Sequence, residues 1–353
     1  MNGVLKGLMP FGVAIPVLLL MQFLTADAPF IVIISLTVGV NVTMAVSLNI
    51  VNGMTGQFSI GHAGFMAVGA YIAGVTSKFV SQYGVTFLPE AVSDQLLYAT
   101  SLVVGACAAA LFGFLVGLPS LRLKGDYLAI VTLGFGEIIR VVVQNTEYFG
   151  KALGLSGVPQ RTTLFSCWFI VVLVVVVARR IRRSTHGRAL LAIREDEIAA
   201  EAMGVNTTAY KVRAFVVASF FAGLAGGVFA HYQSIVAPSS FTFVKSMEIV
   251  VMVVAGGLGS TSGAIVAAVF LTLLPEALRS LFLQITGDGT MAQKVEQIRM
   301  PIYGFLLVVI MLVRPQGLFG TREIWEMGPF KRIFDRQRGT NDDAGSGNGS
   351  VAP

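Results

Sequence analysis

The chain has 353 residues, 55% of them hydrophobic and 12% charged, where an average soluble domain carries about 25% charged residues. A water-soluble protein of this length must coat its exterior with charge, so the composition excludes one, and the mean hydropathy of +0.77 makes lipid the surrounding solvent. The net charge of +6 does not indicate nucleic-acid binding, because no basic patch interleaved with aromatics occurs; it matches the cationic cytoplasmic loops of a membrane protein.

In chain order, Lys6, the apolar run 8–23 and Ala26-Asp27-Ala28 have the outline of a secretory signal with a small-x-small cleavage site. Pro29 directly after that site disfavours cleavage, and another apolar run begins at once, so residues 8–24 read as a retained first span. The next candidates are residues 30–52, 58–77, 97–119, 126–145, 163–178, 214–236, 246–258, 262–283 and 300–313. Charge-free stretches such as 30–49 and 96–118 have about the 20 residues a helix needs to cross about 30 Å of hydrocarbon. The expectation is an all-α polytopic membrane fold of about ten transmembrane helices, with eight as the lower count. The 246–258 segment is short for a full crossing, and only Gly259-Ser260-Thr261 separates it from the next. The 58–77 segment, rich in Gly and Ala, is a candidate for partial entry.

Orientation follows from Lys and Arg. The segment 179–213 holds Arg179, Arg180, Arg182, Arg183, Arg188, Arg194, Lys211 and Arg213, and the link 120–125 holds Arg122 and Lys124. Arg314 opens a tail that also carries Arg322, Lys331, Arg332, Arg336 and Arg338. The positive-inside rule places all three in the cytoplasm, and ten spans put both termini there. Residues 1–313 then form the membrane domain, 179–213 a cytoplasmic loop within it, and 314–353 a cytoplasmic tail. The end of that tail, 341–353, is rich in Gly, Ser, Asn and Asp and reads as disordered. Ten spans divide into two fives, and an odd-numbered repeat inverts across the membrane. The echo between the halves is confined to Gly/Ser-rich interruptions at 53–64 and 256–263.

The first interruption, Asn52-Gly53-Met54-Thr55-Gly56-Gln57-Phe58-Ser59-Ile60-Gly61-His62-Ala63-Gly64-Phe65, would make a poor lipid-facing helix. Non-helical backbone at membrane depth survives only where protein buries it or where it lines a wet cavity. The stretch reads either as a broken segment beside a transport route or as a cytoplasmic turn entering a tightly packed helix. Gln57, Ser59, Gly61 and His62 are its candidate path residues. The second interruption, Ala255-Gly256-Gly257-Leu258-Gly259-Ser260-Thr261-Ser262-Gly263, adds Gly257, Gly259, Ser260 and Ser262. It lacks the third glycine of a dinucleotide loop, and no Gly-x-x-x-x-Gly-Lys-Ser/Thr occurs, so the chain has no P-loop for ATP. It reads as a helix break, and the helix N-terminus near Ser262 offers N–H groups to an anion such as a carboxylate.

Gly113-x-x-x-Gly117 and Gly223-x-x-x-Gly227 let helices pack closely and say nothing about cargo. Cys107 and Cys167 lie in apolar runs and read as packed neutral thiols. Histidines at 62, 186 and 231 are scattered and suggest neither a metal site nor an embedded enzyme.

The segment Ser184-Thr185-His186-Gly187-Arg188-Ala189-Leu190-Leu191-Ala192-Ile193-Arg194-Glu195-Asp196-Glu197-Ile198-Ala199-Ala200-Glu201-Ala202-Met203-Gly204 is dominated by helix formers. Glu195, Asp196 and Glu197 sit where a second short helix begins, and Gly204 where it stops. Leu190, Leu191, Ile193, Ile198 and Met203 are apolar residues on a piece too short to hide them, and they ask for a docking surface.

These interruptions, the elbow and the run Leu121-Arg122-Leu123-Lys124-Gly125-Asp126-Tyr127-Leu128-Ala129-Ile130-Val131-Thr132-Leu133-Gly134-Phe135 together resemble the Liv-type permeases of high-affinity branched-chain amino acid ABC importers. The likeness is greatest to the longer, LivM-like subunit and covers about residues 30–320. It implies a bacterial inner-membrane location and a second, LivH-like permease subunit. It further implies two cytoplasmic ATPase subunits that bind ATP and Mg, and an extracytoplasmic binding protein that delivers Leu, Ile or Val. It also implies an ATPase-coupling role for the elbow, with Arg188, Leu191, Arg194, Glu195, Asp196, Glu197, Ile198, Glu201 and Gly204 as contact residues. The elbow has Glu197-Ile198-Ala199-Ala200 before Gly204 in place of the widely quoted Glu-Ala-Ala…Gly pattern, which leaves the register of that contact open. Relatives also move urea or short amides. The competing reading is a self-sufficient secondary transporter, which places ionisable residues within its spans. Its candidates are Glu137 with Arg140, near the end of one span and able to pair, Glu248, and Glu276 with Arg279.

Overall fold

Helices satisfy their own backbone polar groups, which lipid cannot do for them, and helices dominate the described chain. A computed structural model describes residues 28–83, 90–121, 127–233 and 235–286, with isolated positions between 301 and 320. In chain order come α1 (Pro29–Asn52), α2 (His62–Tyr83), α3 (Glu90–Ser120), α4 (Tyr127–Asn145), α5 (Leu164–Arg183), α6 (Thr185–Glu195), α7 (Glu197–Ala202), α8 (Thr207–Tyr232), α9 (Phe243–Gly256) and α10 (Thr261–Thr286). Among the described residues, seven of these (α1 to α5, α8 and α10) are long and apolar enough to cross a membrane.

The expected spans divide accordingly. Residues 8–24 lie outside the described residues, and 300–313 are described only at isolated positions. The expected span at 246–258 is α9, whose 14 residues extend only about 21 Å, a half-length helix. The expected helix at 58–77 starts later, at His62, and residues 56–61 before it are non-helical. At the arginine-rich segment the helices reach further than hydropathy indicated. Asn206 Oδ1 accepts from Ala209 N at 3.0 Å and starts α8 ahead of Lys211 and Arg213. Arg179 to Arg183 finish α5. The loop expected at 179–213 is therefore an elbow of two short helices between Ser184 and Asn206.

Small residues set the closest packing. A Cβ on Gly69 would land on the backbone of Gly223, and one on Gly226 on the carbonyl of Met66, so α2 and α8 touch backbone to backbone. Gly113 and Gly117 of α3 lie against Phe215 and Ser219 of α8, while Gly223 and Gly227 lie against Ala106 and Leu102 of α3. The two small-residue spacings are thus the two sides of one helix crossing. Gly39 of α1 makes room for the Cys167 sulfur of α5. Cys107 is exposed on α3, contrary to the packed-thiol expectation.

At the end remote from the arginines, β1 (Leu155–Ser156) pairs antiparallel with β2 (Ile235–Val236), a small departure from an all-α fold. Tyr71 Oη donates to the Val236 carbonyl at 2.7 Å and Lys78 Nζ to the Ser156 carbonyl at 3.1 Å, closing that end.

Candidate functional site

The site grows from the last turns of α1. The Asn52 side chain imitates a strand partner: its Oδ1 accepts from Ser59 N at 3.1 Å and its Nδ2 donates to Ser59 O at 3.4 Å. This holds the chain after Gly53 alongside α1. His62, which opens α2, has its Nε2 2.8 Å from Ser47 Oγ, and Ser47 stands about 7.5 Å along the helix from Asn52. The interruption therefore folds back to the depth of α1's interior before α2 begins, which is a broken segment and not a plain turn. Backbone groups there find partners on other helices: Ile60 N donates to Thr132 Oγ1 of α4 at 3.2 Å, and Ala63 N to Ser246 Oγ of α9 at 3.2 Å. A Cβ on Gly61 would strike the Thr132 carbonyl, and one on Gly64 the backbone of Gly136. Among the described residues, Gln57 Oε1 and Ser59 Oγ are buried without a hydrogen-bond partner.

The second interruption turns α9 into α10. Gly256 and Gly263 meet backbone to backbone, and Gly257 (φ +110°) and Gly259 (φ +88°) adopt angles that side chains disfavour. Ser260 Oγ caps α10 by accepting from Gly263 N at 3.1 Å and lies 3.3 Å from Ser262 Oγ. Ser260 and Ser262 are buried, and Ser260 Oγ occupies one N–H of the helix start expected to greet an anion.

The two interruptions are joined. Asn49 Oδ1 accepts from Gly259 N at 2.9 Å. Arg182 Nη1, at the end of α5, donates to the Gly259 carbonyl at 2.7 Å, and Arg194 Nη1, at the end of α6, donates to the Gly53 carbonyl at 2.8 Å. One guanidinium from the end of α5 and one from the end of α6 thus each hold one interruption. The resemblance implies Arg194 as an ATPase-contact residue, and the sequence reads Arg182 only as an orienting charge. No local pattern could have revealed either contact.

The elbow is held largely by the residues expected to face a partner. Asp196 Oδ1 accepts from Ile198 N (2.9 Å) and Ala199 N (3.0 Å) as the cap of α7. Glu197 Oε1 pairs with Lys211 Nζ of α8 at 2.6 Å, and Glu201 Oε1 accepts from Thr207 Oγ1 at 2.7 Å. Gly204, at φ +84°, ends the helix as expected. The apolar stripe divides: Leu190 and Ile193 are buried, Leu191 is half-buried, and only Ile198 (72% exposed) and Met203 (84%) stand out. Arg188 is exposed, as is Glu195, 3.6 Å from Arg194.

Further ion pairs lie within α9 and α4. Lys245 and Glu248 of α9 pair at 3.2 Å, and Lys245 Nζ also donates to Asn41 Oδ1 at 3.0 Å, while Asn41 Nδ2 donates to Thr272 Oγ1 at 2.9 Å. That network ties α9 to α1 and α10. Glu137 Oε2 and Arg140 Nε pair at 2.7 Å with about a third of each side chain open. Glu137 sits near the middle of α4, and Arg140 about 7.5 Å from its end. A charge at the centre of a lipid-facing helix costs about 3 kcal/mol. Glu137, but not Arg140, also lines a small hollow beside Gly61, Gly64, Gly136, Phe243 and Ser246, with room for about one water molecule.

Residues 30–313 match the sequence family described as branched-chain amino acid transport system permease component. The chain is 36% identical over 312 residues to the high-affinity branched-chain amino acid transport system permease protein LivM of Salmonella typhimurium, covering 78% of this chain and 67% of that one. It is 35% identical to the Escherichia coli protein of the same name over the same shares. It is 23% identical over 302 residues to the Salmonella typhimurium permease protein LivH, covering 80% of this chain and 91% of that one.

Proposed function

The chain belongs to the branched-chain amino acid transport system permease family, and from that membership and the joined interruptions we propose that it is one half of the translocation path of an ATP-driven importer. The cargo is Leu, Ile or Val, delivered by an extracytoplasmic binding protein. A second, LivH-like permease subunit completes the path, and two ATPase subunits holding ATP and Mg drive it from the cytoplasmic side of the inner membrane. The observation that carries the mechanism is the pair of guanidinium contacts from Arg182 and Arg194 to Gly259 and Gly53. An ATPase that moves the elbow pulls on the first interruption through Arg194, and on the second through Arg182 at the end of α5 where the elbow begins, by charge-assisted bonds. Asp196, Glu197 and Glu201 keep the elbow stiff, so that displacement of α7 passes to α6 and α8 without being absorbed.

In proteoliposomes containing all the subunits, leucine uptake is expected to need ATP and the binding protein. Uptake by this chain alone without ATP would overturn the reading. Ile198 and Met203 are the exposed anchors for the ATPase, and apolar anchors in a protein interface carry about 2 kcal/mol each. Ile198→Asp with Met203→Asp is therefore expected to weaken capture of the ATPase subunits more than about tenfold, leaving membrane insertion intact. Pull-down with purified ATPase measures this, and undiminished capture would move the docking surface elsewhere. Thr185 is exposed on the elbow. In a chain with Cys107 replaced by Ser, Thr185→Cys is expected to resist an impermeant thiol reagent on intact cells and to react in inverted vesicles. Labelling on intact cells would place the elbow outside.

A further inference from the structure

A charged pair within a membrane span has to face protein or water. Lys245–Glu248 meets that demand inside this chain: the Glu248 side chain is 6% exposed and Asn41 braces the lysine. Glu137–Arg140 does not, with 34% and 28% of the two side chains open. The hollow beside Glu137 holds about one water, too little to hydrate two charges. Its helix, α4, is also the least covered of the seven described spans, with 28% of the span buried by the rest of the chain. Tyr127, Ile130, Ile138 and Val141 are exposed at helical spacing along one side of it, opposite the buried Leu128, Ile139 and Val143. Glu137 belongs to that open side, seven residues after Ile130 and four before Val141. A lipid-facing side looks different in this chain: α3 exposes Val103, Leu111, Phe114 and Leu115, and residues 96–118 carry no charge.

We infer that the open side of α4 is the seam against the second permease subunit, an inference that rests on the reading of this chain as one of two permease halves. Of the partners in that reading, the ATPases lie in the cytoplasm and the binding protein outside the membrane. The second permease is therefore the partner with protein at the depth of Glu137. The occupant is a spanning helix of that subunit, apolar where it meets Ile130, Ile138 and Val141, with a hydrogen-bonding side chain opposite the ion pair. Such a contact removes the pair from lipid without separating its two charges. The seam is also within reach of the elbow. Ile60 N, near the end of the interruption that Arg194 holds at Gly53, donates to Thr132 Oγ1 on the covered side of α4. Movement of the elbow therefore reaches the junction of the two halves through one helix.

The test uses the full complex in proteoliposomes. p-Benzoylphenylalanine, a photoreactive residue that inserts into neighbouring C–H bonds, replaces Ile130, Ile138 or, as the lipid-facing control, Leu111 of α3. Illumination followed by mass spectrometry identifies each adduct. Positions 130 and 138 are expected to join to the second permease subunit, and position 111 to lipid. Adducts from 130 and 138 to lipid alone, to another segment of this chain or to a second copy of it overturn the seam. Independently, Ile138→Trp is expected to lower the second permease recovered with this chain by about tenfold, because a packed position resists the larger ring, while Leu111→Trp leaves recovery unchanged. Native recovery with Ile138→Trp overturns the seam and leaves the importer reading standing. Leucine import by this chain with its ATPases and binding protein, in vesicles lacking any second permease, overturns the two-half reading instead.

Discussion

Replacing Arg182 and Arg194 together by Ala is expected to cut the leucine imported per ATP hydrolysed by about 100-fold, while the subunits assemble and hydrolysis continues. Each guanidinium donates to a neutral carbonyl at a part-buried position, at 2.7 and 2.8 Å. Hydrogen bonds to charged groups contribute about 1.5 to 3 kcal/mol, and partial exposure argues for the low end. The pair then contributes about 3 kcal/mol, which is about two factors of ten. The loss falls on transmission and not on folding, because Leu190, Ile193 and the Glu197–Lys211 pair still seat the elbow on the bundle. The Gly53 and Gly259 carbonyls, no longer held, stop following the elbow. Arg→Lys at both positions keeps the charge but loses the planar fork, so its uptake is expected to lie between the two. Parallel measurement of radiolabelled leucine and released phosphate gives the ratio. An unchanged ratio in the double alanine variant would end the idea that the elbow acts through these two bonds.

The spans and the elbow were legible because they rest on local pattern. Long charge-free runs announce membrane helices, Asp196 sits where a helix cap belongs, and Gly204 stands at a helix end that requires positive φ. What escaped local pattern is what depends on distant pairing. Arg194 and Gly53 are 141 residues apart, and Arg182 and Gly259 are 77 apart, and nothing near any of them signals the other. The apolar stripe of the elbow was overcounted for the same reason: Leu190 and Ile193 look exposed on an isolated short helix, yet the bundle covers them. Glu137 and Arg140 were legible as a pair, but not the meeting of Glu137 with Gly61, Gly64 and Ser246, which distant segments bring to it. Hydropathy also counted 246–258 as a span, although Thr242 and Gly257 bound the helix there at 14 residues.

Gly61→Ala and Gly134→Ala each add one methyl at or beside α4 and should differ sharply in outcome. A Cβ at Gly61 would overlap the main-chain carbonyl of Thr132, whereas one at Gly134, on the same α4 that Gly61 touches, meets nothing within 4 Å. A backbone carbonyl has no rotamer into which it can retreat, so relief at Gly61 comes only by moving α2 away from α4. That movement breaks the bond from Ile60 N to Thr132 Oγ1 and opens the hollow beside it. Overpacking of this kind costs about 1 to 3 kcal/mol, and the lost bond adds about 1 kcal/mol. Uptake is therefore expected to fall between about thirtyfold and nearly a thousandfold in Gly61→Ala. Gly134→Ala should stay within about twofold, since alanine in an open helical position favours the helix by about 1 kcal/mol. Quantifying both variants in the membrane alongside uptake separates lost transport from lost protein. Gly257→Leu, at φ +110°, is expected to behave like Gly61→Ala through backbone strain instead of collision. Equal uptake by the two alanine variants would mean that α2 and α4 do not keep this contact at any step of the working cycle.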